Sequence, residues 1–410
     1  MKKFKLIYLF ILFYFLILNP ANSQWVQLGN TPYYTTYCLA LNGSTILGGT
    51  ASTGVYSTTN YGLNWTQIGL NTKYVYSIVI NGSNIFAGTN AGVYLSTNNG
   101  TNWTLTGGMI LHISRIVING SYIFAGCGAP DTGIVVSTNN GQNWAYTSMR
   151  ANNITALAQI GSNLLAGTYL KGIYLSSNNG LNWTLTSANN LYVYDICVSG
   201  TNCFAACGNY PSGLGGVYIS TNGGYNWTQT SFNNLDASAV YADGPNVFAG
   251  DAATYGVYVS TNNGSNWVPK NQGFSQAPYV HCFLKAGSYI FVTTHNNFNW
   301  RRLYSEAIGI RNISEIVPSS YSLYQNYPNP FNPVTNIQFD IPSKDKSQNS
   351  KVKLVVYDIL GKEIATLVNE QLQPGTYEVT FDGSNLVSGV YFYKLNSGDF
   401  SETKKMLLIK

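Results

Sequence analysis

Side chains able to do acid–base chemistry are few in this chain. Between positions 24 and 304 there is no glutamate, and the acids are Asp131, Asp195, Asp236, Asp243 and Asp251. Cleaving a glycosidic bond ordinarily takes two carboxyl groups flanking it. Asp195 opens one strand-like run and Asp236 lies just before the next equivalent one, so neighbouring strands could bring this pair together. Aspartates at strand ends also serve as turn and cap residues. His112, His281 and His295 fall in different repeats with no helix to align them, which argues against a metal triad or a Ser/His/Asp set. No Gly-Lys-Ser/Thr phosphate loop and no Cys-x-x-Cys pair occurs. The six cysteines, Cys38, Cys127, Cys197, Cys203, Cys207 and Cys282, do not recur at one repeat position. Cys197 and Cys203 flank a hairpin and could pair; otherwise the cysteines read as small buried apolar residues. No catalytic residue, metal site or cofactor is therefore assigned. A polysaccharide hydrolase using Asp195 and Asp236 stays open as the alternative to a non-enzymatic protein.

The elements that must position any site are repeats. Ser96-Thr-Asn98-Asn-Gly100-Thr-Asn-Trp103 recurs as Ser137…Asn139…Trp144, Ser176…Asn178…Trp183, Ser220…Asn222…Trp227 and Ser260…Asn262…Trp267, with a first copy Thr58…Asn60…Trp65. The tryptophans are 38 to 44 residues apart. A period near 40 built only of strand-like runs is the signature of four-stranded propeller blades. In one unit, residues 75–80, 84–89, 92–96 and 103–105 read as four strands, with hairpin signals at Asn81-Gly82-Ser83 and Asn98-Asn99-Gly100. Seven such units are legible. The seventh has no tryptophan-bearing fourth strand, while Trp25-Val-Gln-Leu-Gly29 reads like Trp65-Thr-Gln-Ile-Gly69 with no unit before it. Placing it in the seventh unit closes a ring and removes a bare sheet edge. The fold expected for 24–305 is a seven-bladed β-propeller.

Ser/Thr-x-Asn-x-Gly-x-x-Trp resembles the Asp-box of sialidase-like propellers, Ser-x-Asp-x-Gly-x-x-Trp. Every copy here carries asparagine in place of the aspartate: Asn60, Asn98, Asn139, Asn178, Asn222 and Asn262. The resemblance implies a peripheral turn between the third and fourth strands, with Trp65, Trp103, Trp144, Trp183, Trp227 and Trp267 packed between sheets. That is a structural role, and neutral Asn is a poor substitute for a carboxylate acid or cation ligand. A sialidase would also need an arginine triad, a tyrosine nucleophile and a glutamate. The absent glutamate and the few arginines, Arg115, Arg150, Arg301 and Arg302, exclude that activity.

In a propeller, the loops on the face opposite those turns carry Tyr33, Tyr34, Tyr74, Tyr192, Tyr255, Tyr279, Arg150, Lys171, Asp131 and Asp251, together with an irregular loop over 295–302. Irregularity within a repeat marks a candidate binding face. Tyr34, Tyr74, Tyr192, Tyr279, Trp300 and Arg301 are the expected contact residues for an extracellular glycan or protein, since aromatic bodies with polar tips suit both. The same tyrosines could instead pack on neighbouring loops, leaving a structural surface protein.

The two ends read as addresses. Residues 1–5 are basic, 6–18 are apolar, Asn19-Pro20 breaks the run, and Ala21 and Ser23 precede a cut after 23: the pattern of a secretory signal. After a linker over 306–320, the composition changes. Only 9% of the whole chain is charged, yet 18 of its 37 charged residues lie in the last 90. Short strands with turn signals there imply a small immunoglobulin-like β-sandwich over 321–410. Its motifs, Gln325-Asn-Tyr-Pro-Asn-Pro-Phe-Asn-Pro333, Val356-Tyr-Asp-Ile-Leu-Gly361-Lys362, Gly389-Val-Tyr-Phe-Tyr393 and the Lys404-Lys405 end, resemble the type A C-terminal sorting domain of the type IX secretion system. The resemblance implies the secretion machinery as partner, export from a Gram-negative cell, and release or display at the surface. Membrane is then met only during export or by attachment. The net charge of +5, three units of it from Lys2, Lys3 and Lys5, leaves no basic surface for nucleic acid.

Overall fold

A computed structural model describes residues 24–29, 35–128, 132–150, 152–209, 213–252, 256–295, 299–314, 316–343, 350–372, 374–383 and 386–410. The expected signal segment, Tyr33, Tyr34, Asp131 and Tyr255 lie outside them. Residues 36–303, together with Val26–Gln27, form seven four-stranded antiparallel sheets. The first strands are Thr36–Asn42, Val75–Asn81, Ile113–Asn119, Ile154–Ile160, Tyr192–Ser199, Ala237–Asp243 and Val280–Ala286. Each touches the first strands of both neighbours, and the cycle closes from Val280–Ala286 back to Thr36–Asn42. They therefore line one central channel, with strands two to four stepping outward.

Blade seven is completed by the N-terminus. Its order is Val26–Gln27, Asn299–Leu303, Tyr289–Thr294, Val280–Ala286, with Val26 opposite Arg301 and Gln27 opposite Trp300. Trp25 is 1% exposed. Its Nε1 donates to Lys270 O at 2.6 Å, and its ring stacks on Phe274 at 5.3 Å. One correction follows. The third strand of this blade is Asn299–Leu303, inside the stretch expected as an irregular loop over 295–302, so Trp300 and Arg301 belong to a strand and not to a loop.

Second strands carry unbroken small and apolar runs such as Ile85-Phe86-Ala87-Gly88, because a middle strand is covered on both faces by adjacent blades. Toward the axis the sheets converge and side chains shrink. A Cβ on Gly88 would sit 2.8 Å from Ile113 Cγ2 of the next blade. At the periphery the recurring turn is held by its own polar groups. Ser96 Oγ donates to Asn98 Oδ1 (3.0 Å), Gly100 N donates to Ser96 Oγ (2.8 Å) and Asn102 N to Asn98 Oδ1 (2.9 Å). All six copies share these bonds. Each uses Asn only as an acceptor through Oδ1, so a carboxylate is not required. Gly100 has φ +88°, and a Cβ there would lie 2.4 Å from Ile68 of the preceding blade. The motif tryptophans likewise pack backward, as in Trp144 Nε1 to Thr106 Oγ1 (3.1 Å) and Trp267 against Phe232 (5.1 Å).

The C-terminal domain is a β-sandwich. One sheet is Ile310–Ser314, Gly375–Asp382, Val334–Ile341 and Ser322–Leu323; the other is Glu363–Leu372, Ser350–Tyr357, Gly389–Ser397 and Phe400–Leu408. Between them lie Ile337, Phe339, Leu354, Val356, Tyr393, Leu395 and Met406, all fully buried. The stretch 306–320 is thus not wholly a linker. Part of it is the short helix Tyr304–Ala307, and Ile310–Ser314 is an edge strand of the sandwich, because Ile310 pairs with Val379 and is itself buried. Trp25→Ala should cost about 3–5 kcal/mol, as for a fully buried tryptophan. Val26→Ala, exposed on the same strand, should stay within about 0.5 kcal/mol. Denaturant midpoints of the two variants check this.

Candidate functional site

Every inner strand opens with a register shift, between Thr36 and Cys38 in blade one and at the equivalent pair in the other six. A bulge re-aims the extra residue. Those extra residues are Tyr37, Tyr76, Ser114, Thr155, Tyr194, Ser238 and His281. Ser114, Thr155 and Ser238 donate to the carbonyls of Ile154, Val193 and Val280 in the following blade and so lock adjacent inner strands. At the other four positions the residue is aromatic or imidazole.

These rings meet around one mouth of the channel. Tyr37 stacks on Tyr76 at 5.2 Å and meets His281 edge-on at 5.4 Å; His112 lies 4.6 Å from Tyr76. Tyr279 is 5.1 Å from His281 and 6.0 Å from His295. On the other side Tyr192 stacks on Tyr194 at 4.1 Å and meets Tyr169 at 4.6 Å. Of the expected contact residues, Tyr74 and Tyr279 lie in loops beside these rings, and Tyr192, expected in a loop, opens the inner strand Tyr192–Ser199. Trp300 and Arg301 lie elsewhere. Trp300 is 6% exposed and packs edge-on against Phe274, while Arg301 lies over Tyr289 and donates to Tyr61 O at 2.6 Å, on the face of the peripheral turns. The sequence reading missed Tyr37, Tyr76, Tyr194, His112 and His281 as site residues. A signal was present: Tyr37, Tyr76 and His281 are the second residues of their inner strands, Tyr194 is the third of its own, and His112 stands just before Ile113–Asn119.

Below the rim sit Arg115 and Asp195. Arg115 Nη1 donates to Ser114 O (3.0 Å) and Tyr76 O (3.4 Å). Asp195 accepts from Ile196 N (3.0 Å) and, across to blade six, from Val240 N (3.2 Å). Burial raises the Asp195 pKa, and the Arg115 charge works against that rise. Asp236 is different. It accepts from Asn209 N at 3.1 Å and donates its own N–H to Asp251 at 3.3 Å, and its pKa is raised by burial and then by Asp251. The two aspartates thus answer to different charged neighbours, Arg115 and Asp251. Asp251 is fully buried, and Arg150 lies over Tyr146 at 4.1 Å.

All six cysteines are free thiols. Cys197 lies opposite Phe204 and Cys203 opposite Val198, so the two point to opposite faces of their hairpin and do not pair. Burial pushes Cys38 up to about 12 and Cys282 to about 11, which keeps both protonated at neutral pH. No group of three metal-ligating side chains occurs among the described residues.

The motif at the start of the sandwich is a polar knot. Asn326 Nδ2 donates to Pro328 O (3.1 Å) and Thr335 Oγ1 (2.9 Å), Asn326 N donates to Tyr393 Oη (2.8 Å), and Gln325 Nε2 reaches Lys405 O (2.8 Å). Phe331, 1% exposed, fills the space beneath. Residues 325–410 match the secretion system C-terminal sorting domain. The chain is a β-propeller carrying a type IX sorting domain. That domain directs it through type IX export to the cell surface or medium and implies contact with the secretion machinery.

Among solved structures, YCF48 bound to D1 peptide is similar over 70% of this chain and 96% of its own, at 12% identity and TM-score 0.55. YCF48 from Cyanidioschyzon merolae matches over 68% and 98%, at 13% and 0.53. The Cps50 (Swd1) propeller domain of Myceliophteria thermophila matches over 68% and 98%, at 12% and 0.51. At such identities the likeness is one of fold. No curated protein matches the chain.

Burial, then His295 and Arg115, lower the His281 pKa to about 4, and burial also lowers that of His112. The unfolded chain, with its imidazole near 6.5, binds the proton more readily than the folded one. Stability should therefore fall as pH drops from about 6.5 toward 4. His281→Gln should flatten that fall, and ring-proton NMR should find His281 titrating well below free histidine. Asn326→Ala should destabilise the sandwich by about 1–3 kcal/mol through loss of both Nδ2 hydrogen bonds, while Thr335 Oγ1 still donates to Pro328 O, read by thermal unfolding.

Proposed function

We propose that this exported propeller works by binding and not by catalysis, and that its ligand sits on the ring-lined mouth of the channel. The observation that carries this reading is two runs of rings, His112–Tyr76–Tyr37–His281–Tyr279 and Tyr194–Tyr192–Tyr169. Tyrosines and imidazoles offer flat apolar faces with polar tips, the surface that stacks on a sugar ring or packs on a peptide. Tyr37, Tyr76, Tyr192, Tyr194 and His281 stand on inner strands, which limits the entropy lost on binding. One propeller of this shape, YCF48, is bound to a peptide, which keeps a protein ligand beside a glycan one.

The hydrolase reading has less support. Asp195 accepts from Ile196 N in its own strand through one oxygen and from Val240 N of blade six through the other, and Asp236 is engaged with Asn209 and Asp251. A purely structural surface role remains the alternative if nothing binds. The test is a panel of polysaccharides and extracellular proteins against purified mature chain, scoring retained protein and released reducing ends. Retention without release, weakened about tenfold or more by Tyr76→Ala or Tyr192→Ala, is the expected result. Sugar release that disappears in Asp195→Asn would overturn it.

A further inference from the structure

We propose that the blade-five and blade-six side of the mouth receives an organic cation: the lysine or arginine side chain of a peptide. This rests on the mouth being the binding site and names what enters it. Tyr192 and Tyr194 stack at 4.1 Å, and Tyr169 stands at 71° to Tyr192, so the three rings form a corner and not a flat wall. Asp236 closes that corner. A Cβ built on Gly208 would lie 2.7 Å from Tyr194 Cε2, 3.1 Å from Asp236 Oδ1 and 3.5 Å from Tyr192 Cδ1. Two rings and a carboxylate oxygen thus converge over a residue with no side chain. No basic side chain pairs with Asp236 among the described residues; its carboxylate accepts from the backbone N–H of Asn209.

Charge decides between ligand classes. Asp236 stands beside Asp251; burial first, and then the Asp236 charge, make the Tyr194 hydroxyl harder to ionise, while at Tyr192 burial and Tyr169 act ahead of Asp236. Arg115 lies elsewhere on the channel wall, donating to Tyr76 and Ser114 carbonyls and facing Asp195. A neutral sugar could stack here but would leave the carboxylate field uncompensated. A cation held by tyrosine faces and a partly buried carboxylate satisfies both. The other run of rings, Tyr279, His281, Tyr37 and Tyr76, extends farther than one ammonium group spans, and flanking residues of an extended peptide would occupy it.

The experiment titrates full mature chain with acetyl-Gly-Gly-Xaa-Gly-Gly-amide peptides up to millimolar concentration, followed by tyrosine ring NMR. Xaa is lysine, arginine, norleucine or Nε-acetyllysine. The lysine and arginine peptides should shift the Tyr192 and Tyr194 signals saturably, with the two neutral peptides at least about tenfold weaker. Added salt should weaken the charged pair. Asp236→Asn keeps the acceptor for Asn209 N and should remove the preference for charge while leaving the thermal midpoint close to wild type. Tyr192→Leu is a second variant expected to weaken the lysine and arginine peptides and to leave the two neutral ones unchanged. Equal binding of norleucine, or a lysine preference that survives Asp236→Asn, overturns the proposal. A neutral oligosaccharide that binds in a Tyr192-dependent, Asp236-independent way would also overturn it while leaving the mouth as the site. Silence toward every peptide and every glycan overturns both.

Discussion

The fold rests on ring closure. Seven sheets bury apolar surface only if the last one packs against the first, and blade seven has three strands of its own. Backbone pairing of Val26–Gln27 with Asn299–Leu303, anchored by Trp25 against Lys270 and Phe274, supplies the fourth. The N-terminal segment thereby covers an edge that would otherwise expose unpaired peptide groups. It also couples the start of the propeller to its end, so blades one and seven cannot separate without losing that strand.

Between neighbouring blades one contact is repeated with small variations. A tryptophan from each peripheral turn leans on the blade before it, and the glycine in the same turn lets the two backbones approach. Hydrogen bonds within the turn need only one acceptor oxygen, which is why asparagine serves at all six positions. A chain with so little charge can use this neutral device throughout, and its acids are then few enough to be traced one by one. Asp195 spans two blades through backbone N–H groups, Asp243 pairs with Lys285, and Asp236 and Asp251 share the rim.

The bulge at the start of each inner strand links fold to site. It breaks the alternation of the strand at the place where seven strands crowd around one axis, and so turns one residue per blade toward the mouth. Where that residue is serine or threonine, it bonds to the next blade and strengthens the ring. Where it is tyrosine or histidine, it leaves a ring on the channel rim. Scaffold and binding surface are thus alternative uses of one backbone irregularity.

The sequence by itself determined the seven repeats, the role of Trp25 to Gly29 as the missing strand, and the sorting domain. Periodicity, turn chemistry and short motifs are local properties that survive without knowledge of packing. It also placed Tyr74 and Tyr279 in loops ahead of inner strands, because loop position follows from strand order, whereas Tyr192 proved to be the first residue of its strand. Tertiary structure alone decided the rest. Trp300 and Arg301 looked like loop residues because their run breaks the repeat, yet pairing with Val26–Gln27 makes that run a strand, and burial takes the indole away from solvent. Tyr37, Tyr76, Tyr194 and His281 looked like ordinary strand residues: a large ring recurs near the start of their inner strands, but that it stands on a bulge depends on how each strand meets its neighbours. Strand periodicity predicts which face a side chain takes; only the crowding of seven strands around a common axis determines where that periodicity must break.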